Sequence, residues 1–446
     1  MSSTPGASPQ GAATDHRVSR LSRAASVGLF VVGLAIGIGI VVTQTDSTTG
    51  LLDLRIYLGA AETWRSGHSL YDFSQPTFGL GSTYPPLWTV LVASVAWAPV
   101  GMVELGWTMA NLLLWLVTLE RLDRTVIRGL GQRLTPPIGD ATVSFERSVN
   151  RVAGYRDRTR LGPPTRWLGL LLVWLLSLAT APVWNTLNQG QVNVLLWFLV
   201  VGDLFAHPMT GEDTSAPPDR GLRWIGWRTG VATALKLLPA IGIVGWALAG
   251  RGRVAARAAV VAVVVTAAAA AFAPADSWRY FTSLVLQSDR VGSLTAAENN
   301  SLAGLLSRLG IDEQTSVVCA AGLVAVLLWR CRGVLRRCVD EGRIVEVAMV
   351  VGLAGALASP ISWTHHLVFL CFPLLWWLRM PSWSTALRWT VILGGVVVLV
   401  DPIGFGRSGL TSSARTVAMA AALVIAPSLS RRNAVSQRRR TSSNHA

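Results

Sequence analysis

Lysine is almost absent from this chain: of its 39 lysines and arginines, only Lys236 is a lysine. Acidic residues are scarce as well, 24 in 446 positions, and there are four cysteines. Cys319 and Cys371 fall in apolar runs, and Cys331 and Cys338 flank a basic stretch, so neither a disulfide framework nor a metal-ligand spacing appears. Charge is missing altogether over long intervals. Runs of roughly 17 or more nearly uncharged residues recur, each long enough to cross a hydrocarbon core of about 30 Å at about 1.5 Å per residue. With 51% hydrophobic and 14% charged residues and a mean hydropathy of +0.45, a soluble domain is excluded. The net charge of +15 would suggest a nucleic-acid partner in a soluble protein. Here the arginines gather between and beyond the apolar runs, where they orient a membrane protein. No basic groove interleaved with stacking aromatics appears, so no nucleic-acid partner is expected.

What is present is an all-α, polytopic pattern. Candidate spans lie near 27–43, 86–102, 104–122, 167–184, 191–206, 223–249, 254–273, 315–330, 344–361, 366–380, 386–400 and 411–427. Residues 1–25 read as a disordered cytoplasmic tail and 429–446 as a basic one, bracketing a membrane domain over 26–428. About twelve crossings would put both tails inside and leave loops 44–85 and 274–314 outside. That count also puts the Arg-rich insert 123–166 outside, against the positive-inside tendency. The alternative makes 223–249 a re-entrant hairpin, broken at Lys236-Leu237-Leu238-Pro239, and lets 86–122 cross once. Tryptophans at span ends (Trp64, Trp88, Trp107, Trp167, Trp278, Trp363) suit interfacial anchoring. No internal repeat links the two halves, which counts against a transporter.

Polar chemistry collects in a few places. Asp53 follows the first span, either as the N-cap of a short helix over 54–66 ending at Gly67, or as a general base for an acceptor hydroxyl. A hydrolase would need two carboxylates flanking the bond, whereas a transferase with a phosphate leaving group needs one base and nearby cations. Arg290 could grip a phosphate or be an ordinary loop arginine. Lys236, inside an apolar stretch, either snorkels or works. His365 and His366 are adjacent on a helix and therefore point apart, so a shared metal site is not expected. Asn188-Gln189-Gly190-Gln191-Val192-Asn193 offers four amides for sugar hydroxyls or for helix ends. Asn299-Asn300-Ser301 matches a glycosylation sequon, a pattern common by chance.

Taken in order, these pieces resemble the actinobacterial polyprenol-phosphate-mannose-dependent α-mannosyltransferases, membrane glycosyltransferases of the GT-C type. The resemblance rests on Asp-Leu-x-x-Tyr (53–57), Gly-x-x-Leu-Tyr (67–71), Thr-Tyr-Pro-Pro (83–86) and the amide cluster at 188–193. It continues through Leu-Lys-Leu-x-Pro (235–239), Ser-Asp-Arg-Val-Gly (288–292), Asn-x-Ser-Leu-x-Gly (299–304) and Ser-Pro-Ile-Ser-Trp-x-His-His (359–366). The chain departs in having Asn300 where the family has Gln, and in a longer insert at 123–166.

The resemblance implies a GT-C architecture in the plasma membrane with its active site on the extracytoplasmic face. It implies a polyprenyl-phosphate-linked mannose donor and a glycolipid or lipoglycan acceptor such as a phosphatidylinositol mannoside. Neither a nucleotide sugar nor another cofactor is expected. Asp53 is then the catalytic base, with Lys236, Arg290, His365 and His366 on the donor phosphate. Tyr57, Tyr71, Tyr84, Asn188, Gln189, Gln191, Asn300 and Trp363 are the expected sugar and acceptor contacts. An arabinofuranosyltransferase of the same fold, a polar-lipid flippase and a non-catalytic scaffold are the competing readings.

Overall fold

The computed structural model describes residues 9–44, 50–134, 163–206, 224–287, 290–375 and 412–427. The candidate span 386–400, loop 401–410, Asp289, the tail 429–446 and the centre of the 123–166 insert lie outside the described residues. Among the described residues every regular element is helical. An apolar run in lipid must satisfy its own backbone polar groups, and a helix does so within one segment. In chain order the helices begin with α1 (Pro9–Gln44), α2 (Leu52–Arg65), α3 (Pro86–Ala93) and α4 (Val100–Leu134). Next come α5 (Pro163–Leu178), α6 (Ala181–Gln189), α7 (Asn193–Ala206), α8 (Trp227–Leu235), α9 (Ala240–Leu248), α10 (Gly252–Phe272) and α11 (Pro274–Thr282). They end with α12 (Leu302–Arg308), α13 (Glu313–Arg330), α14 (Arg332–Asp340), α15 (Ile344–Ala358), a 3-10 helix (Thr364–Cys371) and α16 (Ser412–Pro427).

Among the described residues four helical segments are long and apolar enough to cross a membrane: Ala24–Thr43, Val100–Arg124, Gly252–Phe272 and Glu313–Arg330. The pair α5 and α6, bent by 71° between them, adds a fifth if the two helices form one broken span. Most of each long segment is unburied, with Val263 and Val318 more than half exposed. Apolar surface on that scale belongs against lipid, and the chain is a membrane protein.

The bundle has two ends, and ion pairs mark both. At one end Arg55, two residues after Asp53, reaches Glu104 at 2.8 Å. Glu104 is fully buried, so losing this pair would cost about 3–5 kcal/mol. At the other end Arg166 at the start of α5 bridges Asp123 at 3.1 Å and Glu120 at 3.2 Å on α4. Between Glu104 and Arg121, α4 rises by about 25 Å, close to the thickness of a hydrocarbon core.

Several sequence expectations are corrected. The 86–102 stretch is not a span: α3 has eight residues, about 12 Å, and a turn separates it from α4. Of the two readings of 223–249, the single crossing is corrected and the re-entrant hairpin is the arrangement found. It breaks at Lys236, which leaves helix geometry at φ −153° and ψ 135° between two nine-residue helices, α8 and α9. Each is about 13 Å long, under half of a hydrocarbon core. The base of this hairpin closes on α10, because Arg257 Nη1 donates to Ile225 O at 2.6 Å. Gly226, at φ +101°, lies so close that a Cβ would come within 2.7 Å of Val254 O. The hairpin therefore leaves and returns at the same end, with Lys236 at its tip. Helix α1 begins at Pro9, inside the stretch read as a disordered tail. Trp88 is buried against Tyr57 and Trp107 and does not sit at an interface.

This topology gives a direct test in a variant lacking the four native cysteines. Single cysteines at Trp224 and Gly252, on the two sides of the hairpin, should react with an impermeant thiol reagent from the same side of the membrane. A cysteine at Ser66 should react from the opposite side. Labelling of positions 224 and 252 from different sides would restore the single-crossing arrangement.

Candidate functional site

Asp53 is placed by a strained turn. Leu51 has φ 50°, the one positive φ outside glycine among the described residues, and its N–H donates to Asn188 O at 2.8 Å. Leucine is disfavoured there, so the surrounding packing holds it. Helix α2 starts directly afterwards with Leu51 as N-cap and no side-chain cap bond. The capping alternative for Asp53 is thereby corrected. The expected end at Gly67 holds: His68 N–H bonds Thr63 O and Gly67 N–H bonds Trp64 O, with Gly67 at φ +87°.

Gly190 closes α6 at φ +68°, and a Cβ there would approach Leu54 Cβ to 2.6 Å. That close approach lays α2 on the α6–α7 turn and brings Gln191 to Asp53. Gln191 Nε2 donates to Asp53 Oδ2 at 2.6 Å, and its Oε1 accepts from the Tyr84 hydroxyl at 2.6 Å. The Tyr84 oxygen accepts from Lys236 Nζ at 2.8 Å. Lys236 also bonds Asn193 Oδ1 at 3.2 Å and His366 Nε2 at 3.1 Å. Three acceptors match the three hydrogens of an ammonium, so the buried lysine does not snorkel. His366 Nε2 then accepts, which puts its ring proton on Nδ1. Burial raises the Asp53 carboxyl above the ordinary carboxylate range, while the Gln191 bond and the Lys236 charge pull it back. Burial and the Asp53 charge push the Tyr84 phenol up, so it stays protonated and donates.

Asp53, Tyr84, Gln191, Lys236 and His366 line a cavity of about 1350 Å³. Tyr57 stacks on Tyr84 with ring centroids 5.0 Å apart. Tyr71 donates to Tyr84 O at 2.8 Å and stacks on Tyr280 at 5.8 Å. Arg290 lies over the Tyr71 ring, 5.3 Å from its centroid, and donates to Ser82 O at 2.7 Å. His365 Nδ1 meets Asn185 Oδ1 at 3.0 Å, and its carbonyl accepts from Asn193 Nδ2 at 2.9 Å. Among the described residues no protein partner reaches His365 Nε2, His366 Nδ1 or Gln189 Oε1, although all three are buried. No group of three or more His, Cys, Asp or Glu is close enough to hold a metal ion, again among the described residues.

The structure thus brings together on one cavity Asp53, Tyr57, Tyr84, Gln189, Gln191, Lys236, Arg290, Trp363, His365 and His366. Three expected contacts stand elsewhere. Asn188 serves through its carbonyl on Leu51, and Tyr71 supports Tyr84 and Arg290 from behind the wall. Asn300 is fully buried, with its N–H and side-chain amide both on Ser362 O, at 2.8 Å and 3.1 Å. Asn299 accepts from Ser362 N–H at 2.9 Å, and Ser301 donates to Pro360 O at 2.7 Å. The Asn-Asn-Ser triplet is therefore a clasp on the turn that leads to the histidines. Sequence reasoning missed Asn185 and Tyr280 as site residues, and counted Asn193 among the four amides without giving it the lysine as partner. Asn185 was detectable, since it shares a helix face with Asn188 and Gln189 at i+3 and i+4. Tyr280 had no such signal.

A helical membrane bundle that keeps a carboxylate, a buried ammonium and an apolar wall around one cavity suits a transferase working on lipid-borne groups. Residues 83–360, more than half of the chain, match Glycosyltransferase family 87, and the chain belongs to that family. It is 29% identical over 366 residues to a polyprenol-phosphate-mannose-dependent alpha-(1-2)-phosphatidylinositol mannoside mannosyltransferase of Mycobacterium tuberculosis, covering 79% of this chain and 76% of the relative. A Mycolicibacterium smegmatis enzyme named for phosphatidylinositol pentamannoside is also 29% identical, over 355 residues, with 77% and 72% covered. No solved structure matches the chain significantly.

Removing the Gln191 bond should move the titration of the carboxyl. In Gln191→Leu the Asp53 carboxylate loses a donor that favours its charged form, so its proton should come off at higher pH. The acid limb of a pH–rate profile for sugar transfer should shift upward relative to wild type. An unchanged acid limb would mean that the bond does not govern Asp53.

Proposed function

We propose that this protein is an inverting mannosyltransferase that moves mannose from a polyprenyl-phosphate donor to a phosphatidylinositol-mannoside-type glycolipid, forming an α-(1→2) linkage. The observation that carries this reading is the one-way chain from Lys236 through Tyr84 and Gln191 to Asp53. Asp53 Oδ2 is held by Gln191, and the carboxylate lines the cavity. Asp53 takes the proton of the acceptor hydroxyl as that oxygen attacks the anomeric carbon. The bond from carbon to phosphate oxygen breaks, and its electron pair leaves with the polyprenyl phosphate. Lys236, with His365, His366 and Arg290 on the same cavity, stabilises the charge developing on that phosphate. Attack from the face opposite the leaving group converts a β-linked donor into an α-linked product.

Two features support a lipid-borne donor. Leu237, Leu238, Ile241, Val317 and Val318 line the apolar side of the cavity, next to lipid-facing α13. The named relatives use a polyprenol-phosphate-mannose donor. The extracytoplasmic placement of the cavity rests on the insert 123–166, which leaves and re-enters the bundle at the end remote from Asp53. With the arginines of that insert inside, the chain obeys the positive-inside tendency. With α3 and the hairpin not crossing, two of the twelve candidate crossings fall away, which leaves the parity of the remainder unchanged.

Two substitutions test the chemistry. Asp53→Asn should lower transfer by roughly 10²–10⁴-fold. The same variant should be no less stable than wild type at neutral pH. A folded-state carboxyl raised above its ordinary value adds to stability below that value, and the contribution is lost as pH rises through the folded value. Thermal unfolding at several pH values should show the two proteins converging in acid. Near-normal transfer by the Asn variant would remove Asp53 from the mechanism. Lys236→Met keeps length and apolarity but deletes the ammonium. Loss of a charged hydrogen bond worth about 1.5–3 kcal/mol predicts roughly a 10–100-fold drop in kcat/KM.

A further inference from the structure

At the end of the bundle remote from Asp53, five arginines share three carboxylates. Glu120 takes Arg124 and Arg166, and Asp123 takes Arg166. Asp203 on α7 is fully buried and already accepts from Thr229 N–H at 2.7 Å and Thr229 Oγ1 at 2.8 Å. Arg228 Nη1 stands 3.7 Å from it. Arg257 donates to Ile225 O. Arg121 has no carboxylate within ion-pair distance among the described residues, and its guanidinium lies over Phe198, 4.4 Å from the ring centroid. The Arg228 guanidinium lies 5.1 Å from the Trp227 ring centroid.

These two guanidiniums converge on one spot. A Cβ on Gly202 would lie 3.2 Å from Arg121 Nη1 and 3.3 Å from Arg228 Nε. Helices α4 and α8 therefore hold two like charges side by side over the backbone of α7, with their flat faces on aromatic rings. Like charges this close repel. Asp203 is bound to Thr229 through Oδ2 and leaves Oδ1 to Arg228 at 3.7 Å, while Arg228 Nη1 donates to Gly202 O at 3.3 Å, so the counter-charge falls on Arg228 and not on Arg121. An anion spanning both forks would satisfy them.

We propose that Arg121 and Arg228 bind the phosphate of an anionic phospholipid in the leaflet opposite the catalytic cavity. Guanidinium edges match phosphate oxygens in pairs. The surroundings favour a lipid over a free anion: Trp227 and Phe198 flank the site, and Trp224, four residues before Arg228, is 67% exposed, as in an interfacial aromatic belt. The site also touches the hairpin. Arg228 is the second residue of α8, and Lys236 caps the other end of that helix, about 12 Å along. A phosphate there would neutralise the repulsion between α4 and α8 and hold the base of the element that presents Lys236.

The test uses the full chain in nanodiscs of phosphatidylcholine, with or without phosphatidylglycerol, and reads thermal unfolding, so it does not depend on any transfer activity. Phosphatidylglycerol should raise Tm in wild type and in Arg124→Gln, which loses an exposed arginine already paired with Glu120. In Arg121→Gln the rise should vanish, with lipid affinity lower by roughly tenfold, the equivalent of one charged hydrogen bond. Arg228→Gln should behave alike. If it fails to fold for want of a partner to Asp203, Arg121→Gln carries the test, since it breaks no ion pair among the described residues. The same rise with inorganic phosphate in phosphatidylcholine discs would overturn the lipid assignment. No rise in wild type, a full rise in Arg121→Gln, or loss of the rise in Arg124→Gln would overturn the site.

Discussion

An ammonium group away from water must be surrounded by acceptors or it becomes prohibitively costly. Lys236 meets that demand with Tyr84, Asn193 and His366, which come from three separate parts of the chain. Tyr84 stands just before α3, Asn193 opens α7, and His366 lies in the 3-10 helix. One buried charge therefore gathers the loop after the first span, the amide turn and the histidine turn around one point. The Arg55–Glu104 pair and the asparagine clasp on Ser362 hold two of these parts from behind. The cavity owes its shape to these supports as much as to the residues that face it.

The hairpin 227–248 explains why the lysine can sit so deep. A continuous helix through 236 would point its side chain sideways into lipid or into a neighbour. The break turns the chain around, so the ammonium projects from a tip and the backbone on either side returns to the far end. Both arms of that hairpin are too short to span, which is why hydropathy alone reads them as a single crossing. The same reasoning applies to α3, whose apolar residues pack against the aromatic wall of the cavity while the chain stays at one end.

Much of the site was legible because its chemistry is conspicuous against an apolar background. A single lysine before Leu-Leu-Pro, a run of amides and a carboxylate soon after the first span stand out without any structure. All-helical architecture followed from the length of the apolar runs. What the sequence withheld is direction. Nothing in residues 299–301 distinguishes a sugar contact from a clasp on backbone carbonyls, and only the burial of Asn300 decides it. Likewise a residue two places into a short helix looks like a cap until its partner is seen to be Gln191. Span number stayed open for a related reason: hydropathy measures how apolar a stretch is, and the break at Lys236-Leu237-Leu238-Pro239 offered the hairpin only as the alternative to a single crossing.

The amide of Gln191 has two unlike ends, and that asymmetry limits where a proton can go. Its nitrogen faces Asp53 and its oxygen faces Tyr84. An amide nitrogen has no lone pair ready to take a proton, so a proton gained by Asp53 cannot run back along the chain to Tyr84 and Lys236. The chain conducts electrostatic influence but insulates against proton flow. In the mechanism proposed above, Asp53 is then reset through the cavity, by water or by departing product, and the positive charge at the hairpin tip is not spent.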